Sequence, residues 1–214
     1  MSEISMGLFP LNLVLFPGSA RPLRIFEERY KLLITRCLEG DKTFGIVLLR
    51  SGIDEKGDAQ HYLVGTVAKI TDVKPLNDGE MLISIVGEHR FRIIDIVSKD
   101  PYVVANVDLL PEDVDSSVSK ELIDNIQVTL DEYVRTLMGL QGGWLRHFSI
   151  MEDSWAMSYY IADSLVNSVD LKQQLLEIPN TSSRINAELD ILSEDTKVLR
   201  RKLMSGGNQS FSLN

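Results

Sequence analysis

Nucleophiles and metal ligands are sparse in this 214-residue chain. Cys37 is the single cysteine, and His61, His89 and His147 fall in separate segments with no partner at the spacing of a zinc site. A thiolate nucleophile needs a neighbouring base and an electropositive setting. Cys37 instead falls on the inner face of a predicted helix, where a free cysteine packs as a small hydrophobe. No Gly-Lys dipeptide occurs, so there is no phosphate-cradling P-loop, and no serine sits in a Gly-x-Ser-x-Gly elbow. The residues therefore imply no catalytic site, no metal and no cofactor.

Binding chemistry is better represented. Glu27, Arg29 and Tyr30 stand where a strand enters a helix. They can hold a partner, or they can be structural, with Glu27 satisfying the helix dipole in the first turn and Arg29 pairing across to the sheet. Glu88-His89-Arg90-Phe91-Arg92 is a basic and aromatic strand able to stack on a base or hold an acidic peptide. Its alternation also places His89, Phe91 and Ile93 on one face and Arg90 and Arg92 on a solvated one. Trp144, in Gly142-Gly143-Trp144-Leu145, is either an exposed hot spot or the cap of a helical core. Phe16, beside the Pro17-Gly18 corner, completes the set of candidate protein contacts.

These groups must be positioned by two kinds of structure. Pro10, Pro17 and Pro22 break residues 7–26 into two or three short strands suited to edges or corners of a curved sheet. Glu27 to Leu38 then takes helical spacing, with Tyr30, Leu33, Ile34, Cys37 and Leu38 inward, and Gly40 ends it. Strands follow over 44–49, 62–73, 81–97 and 103–110, with a tight hairpin at Pro75-Leu76-Asn77-Asp78-Gly79 and a bend at Gly87. About six strands with one inserted helix close most simply as a barrel.

After Pro111 the apolar period changes from two to about 3.6 residues. Val118, Leu122, Ile126, Leu130, Val134 and Leu137 stripe one helix; further helices are predicted over 153–169 and 171–178, and from a Thr181-Ser182-Ser183 cap to Met204. The fold class is thus α+β: a β-barrel over residues 1–112, a bundle of about four helices over 113–204, and a disordered tail over 205–214.

Charge narrows the partners. The net charge is −9, with 13 Lys/Arg against 16 Asp/Glu in residues 1–112 and 9 against 15 in residues 113–214. Neither half offers the cationic surface from which nucleic-acid affinity arises, and an acidic chain does not favour anionic lipid. Met1-Ser2-Glu3-Ile4-Ser5 lacks a basic n-region, no run reaches the length that spans a bilayer, and one cysteine suits a reducing compartment. A cytoplasmic protein without a membrane segment is expected.

The order of several motifs resembles the Lon substrate-binding domain, the N-terminal domain of Lon proteases. The opening carries Leu8-Phe9-Pro10-Leu11, Val14-Leu15-Phe16-Pro17-Gly18 and Pro22 to Tyr30. The barrel carries Phe44-Gly45-Ile46-Val47-Leu48, Val64-Gly65-Thr66, Gly87 to Arg92 and Pro101-Tyr102, and the helical part Lys172-Gln173-Gln174-Leu175-Leu176-Glu177. Glu28 departs from the family's usual proline, which leaves a less rigid helix start. The resemblance implies a PUA-like barrel followed by a helical bundle. It also implies a non-catalytic module that captures exposed apolar segments of unfolded or partly folded polypeptide, as an adaptor to a protease or chaperone. No ATPase or Ser-Lys peptidase domain follows in the chain, so binding without cleavage is expected. PUA-like barrels elsewhere bind RNA, the alternative that Arg90 and Arg92 would serve. Partner identity and oligomeric state stay open.

Overall fold

The computed structural model describes residues 4–53, 59–112, 118–140 and 153–206. The proline-punctuated opening forms β1 (Ile4–Leu11) and β2 (Ala20–Ile25), and helical spacing then gives α1 (Glu28–Glu39). Next come β3 (Thr43–Ile53), β4 (Ala59–Pro75), β5 (Met81–Ser98) and β6 (Val104–Leu109). The helices α2 (Lys120–Leu140), α3 (Ser154–Ser164), α4 (Val169–Glu177) and α5 (Thr181–Gly206) complete the described residues.

The sheet runs β2-β5-β4-β3-β1-β6, and β6 also pairs with β5. Five strands therefore close into a ring, while β2 lies beside the first half of β5. This is the six-stranded α+β arrangement with an inserted helix that the strand pattern implies. β1 and β3 are parallel, joined through β2 and α1; the other pairings are antiparallel. At Pro75 to Gly79 the Leu76 N–H donates to Glu80 O at 2.8 Å, with positive φ at Asp78 and Gly79, as Asp and Gly tolerate.

β5 changes partner from β2 to β6 at Gly87, where the sequence leads one to expect a bend. Gly87 N–H donates to Ser19 O at 3.0 Å, and its carbonyl accepts from Gly18 N–H at 2.8 Å. A Cβ there would lie 2.3 Å from Phe16 O, so this backbone crossing requires glycine.

Met6, Leu8, Val47, Val67, Phe91, Ile93, Ala105 and Val107 fill the ring, every ring strand contributing. Phe91 seats its ring over Gly45 and Gly65. A Cβ on Gly65 would meet Ile46 O at 2.3 Å and Phe91 Cζ at 2.7 Å. Gly65→Ala is expected to destabilise the barrel by about 1–3 kcal/mol, the usual effect of overpacking a close-packed core. Denaturant unfolding followed by tyrosine fluorescence checks this; an unchanged midpoint would mean that the ring can expand. A second cluster gathers Tyr30, Leu33 and Ile34 of α1 over Phe9, Phe44, Ile46, Ile70 and Ile85.

The chain divides into two compact units whose segments alternate along the sequence. The first takes the described residues of Met1–Glu112 and Tyr159–Pro179, the second those of Asp113–Ser158 and Asn180–Asn214. The sequence pattern places one contiguous bundle after residue 112, whereas α4 groups with the barrel. The reason is polar: Gln173 Nε2 donates to Val64 O at 3.0 Å and to Glu177 Oε1 at 2.9 Å, and Tyr62 Oη donates to Asp170 at 2.9 Å. Lys172 Nζ donates to Asp163 O at 2.6 Å at the end of α3, while Leu175 and Leu176 are buried. The Lys172-to-Glu177 motif is thus a docking segment. The helix expected to run to Val169 stops at Ser164, and Ser168 Oγ caps α4 by accepting Leu171 N–H at 3.3 Å.

In the second unit α2 and α5 pack along Ile126, Leu130 and Tyr133 on one side and Ile185 and Leu192 on the other, with an Arg200–Glu132 ion pair. The hydroxyl cap expected for α5 is instead Asn180, whose Oδ1 accepts Ser183 N–H at 2.9 Å. The helix continues to Gly206, two residues into the expected tail; the rest of that tail, 207–214, lies outside the described residues.

Candidate functional site

Within the first unit a cavity of about 870 Å³ opens at the start of α1. Glu27 has an extended backbone and makes no side-chain cap to α1, so the helix begins one residue later than its carboxylate would suggest. That carboxylate accepts from Arg29 Nε at 2.9 Å and from its terminal nitrogen at 2.8 Å. The Arg29 guanidinium lies 4.6 Å from the centre of the Tyr30 ring, and that ring stacks on Phe9 at 3.9 Å. Tyr30 is buried, which raises its phenol above the ordinary range. The result is an aromatic floor with a charged rim.

The opposite wall comes from the ends of β3 and β4. Leu63 is 53% exposed, and His61 Nδ1 donates to the Tyr62 carbonyl at 3.1 Å. The Arg50 guanidinium lies 5.0 Å from the Tyr62 ring centre. Ile96 of β5, with Lys99, Tyr102 and Val103 of the β5–β6 connection, supplies the third side, where Tyr102 Oη accepts from Arg36 at 3.0 Å. β1 forms the base. Leu8 N–H donates to Val103 O at 2.8 Å, the last such bond towards the β6 side. Pro10, two residues on, turns the same edge towards the cavity and has no N–H to offer.

Of the sequence candidates, Glu27, Arg29 and Tyr30 come together here; Arg29 pairs with Glu27 and not across to the sheet. Phe16 and Arg90 do not join them. Phe16 is fully buried, its ring 6.1 Å from that of Tyr159. Arg90 is also fully buried, which corrects its placement on a solvated face. It does oppose Phe91, as alternation dictates, but the outer surface there is covered. Its Nε donates to Glu112 at 3.0 Å and one terminal nitrogen donates to Leu176 O at 3.0 Å and Ile178 O at 2.9 Å. His89, expected to face inward with Phe91, is exposed, because β5 carries an extra residue against β4 between Gly87 and Arg90. Arg92 is exposed, opposite Val64 and Asp108, and does not line the cavity. Trp144 lies outside the described residues.

The family of the ATP-dependent protease La (LON) substrate-binding domain matches residues 5–194. The chain belongs to that family. The Lon-type domain is 28% identical over 201 residues to Lon protease 2 of Myxococcus xanthus, covering 91% of this chain and 24% of the relative. It is 26% identical over 196 residues to the Lon protease of Cytophaga hutchinsonii, covering 89% and 24%. It therefore spans about a quarter of the length of these relatives. A crystal structure of a Lon N-terminal domain protein from Xanthomonas campestris superposes with a TM-score of 0.68 at 26% identity, covering 87% of this chain and 98% of that one. The N-terminal domain of the Mycobacterium avium complex Lon protease shares the fold at 17% identity and TM-score 0.63, covering 89% and 98%.

Seen in this Lon-type domain, Arg50, Gln60, His61, Leu63 and Lys99 are site residues that the sequence pattern does not reveal. They sit at strand ends whose meeting depends on ring closure; an exposed leucine in β4 just before buried Val64 is the one local signal. Cys37 is half-buried, and burial with Asp41 nearby pushes its thiol up to about 11, consistent with a packing role. Among the described residues no three His, Cys, Asp or Glu side chains gather as metal ligands, and no helix is long and apolar enough to cross a membrane.

Proposed function

We propose that this Lon-type domain is a polypeptide-binding module whose cavity at the start of α1 captures exposed apolar segments of unfolded or partly folded chains. The observation that supports this reading is the combination in one open groove of an aromatic floor, Phe9 on Tyr30, with a half-exposed aliphatic wall at Leu63 and a polar rim at Glu27 and Arg29. Apolar surface supplies affinity and the rim sets orientation. The module's part is capture, with the bound segment passed to a protease or chaperone. Its single thiol stays protonated near neutral pH, so it offers no thiolate for cleavage. The competing RNA reading drew on Arg90 and Arg92, and the burial of Arg90 removes half of that footprint.

Leu63→Ser tests the site. Losing one half-exposed aliphatic contact is expected to weaken binding of a labelled, permanently unfolded protein about fivefold, read by fluorescence anisotropy. The unfolding midpoint should barely move, because Leu63 packs little in the free domain. Unchanged affinity would place capture elsewhere on the molecule.

A further inference from the structure

We infer that α5 carries a contact for a second copy of this chain: a self-complementary stripe, centred on Val198, on which two α5 helices pack antiparallel about a two-fold axis. The inference is independent of the groove. Ala187, Ile191, Glu194, Val198 and Arg201 recur at alternating steps of four and three residues, which sets them along one side of the helix over about 21 Å. Ile185, Leu192 and Thr196 mark a different, buried side. On the stripe Val198 is 39% exposed, Glu194 and Arg201 are exposed, and Ala187 and Ile191 are half-buried.

The order of charge along α5 has no sufficient cause within one chain. A helix dipole favours acids in the first turn and bases in the last, yet α5 has no acid in its first turn and no base in its last. Its acids from Asp190 to Asp195 instead precede its bases from Lys197 to Lys202. That grouping puts Asp190 four residues from Glu194 and Lys197 four from Arg201, two like-charge pairs that oppose the helix. Glu194 does hold Lys197 at 3.2 Å, but the two side chains are 64% and 62% exposed, and such a pair contributes little. Arg201 makes no ion pair among the described residues. In an antiparallel second copy the order of charge is reversed. Glu194, four residues before Val198, then lies beside Arg201 of the other copy, three residues after it. The reciprocal pair forms across the axis, with the two Val198 side chains between them, as an isologous contact requires.

Sedimentation of the full chain over a concentration series tests the contact, at moderate salt so that the mutual repulsion of two chains of charge −9 is screened. The parent should pass from monomer to dimer as concentration rises. Glu194→Lys and Arg201→Glu should each weaken self-association about tenfold, since one sets cation against cation and the other carboxylate against carboxylate. An equimolar mixture of these two variants should dimerise again, because every cation then faces a carboxylate of the other variant. Val198→Asp, at an exposed position, should give the same loss with the parent's helical signal and unfolding midpoint. A parent that stays monomeric at every concentration would overturn the inference. So would a dimer that survives the single variants, or a mixture that stays monomeric.

Discussion

Arg90→Met is expected to destabilise the barrel unit by about 3–5 kcal/mol, the range for breaking one side of a buried ion pair. All three guanidinium nitrogens are used. Besides its bonds to Glu112, Leu176 and Ile178, Arg90 donates to Pro111 O at 3.4 Å and lies 5.9 Å from the Tyr159 ring centre. The substitution would leave the largely buried Glu112 carboxylate with the Tyr159 hydroxyl, at 3.1 Å, but without this cation. It would also strip a donor from the carbonyls at the end of α4. Arg90→Lys should be nearly as damaging, since one ammonium cannot reproduce the planar fork. Adding Glu112→Gln to Arg90→Met should recover part of the loss by removing the carboxylate charge that Arg90 had paired. Denaturant melts supply the free energies, and hydrogen exchange should show the amides of α4 opening first. A loss below about 1 kcal/mol, the range of an exposed pair, would show that water replaces the guanidinium at little cost.

Glu188→Gln is expected to abolish a pH dependence of stability. Glu188 lies fully buried in the second unit; its Oε1 accepts from Ser158 Oγ at 2.8 Å, and its Oε2 has no hydrogen-bond partner among the described residues. Burial raises its carboxyl from 4.5 to about 8, opposed by the Ser158 hydrogen bond and by Arg184, whose Nε donates to the same Ser158 Oγ at 2.7 Å. Between those two values the folded protein holds a proton that the unfolded chain releases. Stability from this group is therefore full below about pH 4.5 and falls as pH rises towards 8, by up to about 1.4 kcal/mol per pH unit. The glutamine variant should match the parent near the acid end and exceed it by roughly 2–4 kcal/mol at the alkaline end. Parallel slopes for the two proteins would mean that the carboxylate is ionised in the folded state.

Arg90 and its neighbour His89 also mark where the sequence is and is not legible. Proline corners, the Asn-Asp-Gly turn and the switch from period two to helical spacing report local geometry. They foretell α1, the hairpin between β4 and β5, and the six-stranded class. Arg90 shows the limit: alternation correctly sets it opposite Phe91, but whether that outer face meets water depends on α4, some eighty residues later. His89 shows another, since one extra residue in β5 shifts the phase of the strand. For the site, the Glu27-Arg29-Tyr30 cluster is visible because it is contiguous. Its partners Arg50, His61, Leu63 and Lys99 are not, because the ring must close before their strand ends meet.

Pro10 gives the groove a property of a different kind. A protein that holds sticky, extended segments risks becoming a template on which they polymerise, because an open strand edge can seed a growing β-ladder. Past its pairing with β6, β1 carries at Pro10 a residue with no amide hydrogen, on the side where such a ladder would start. On the capture reading proposed above, a segment lying along β1 at Pro10 would lack that backbone donor and would be held there by its side chains.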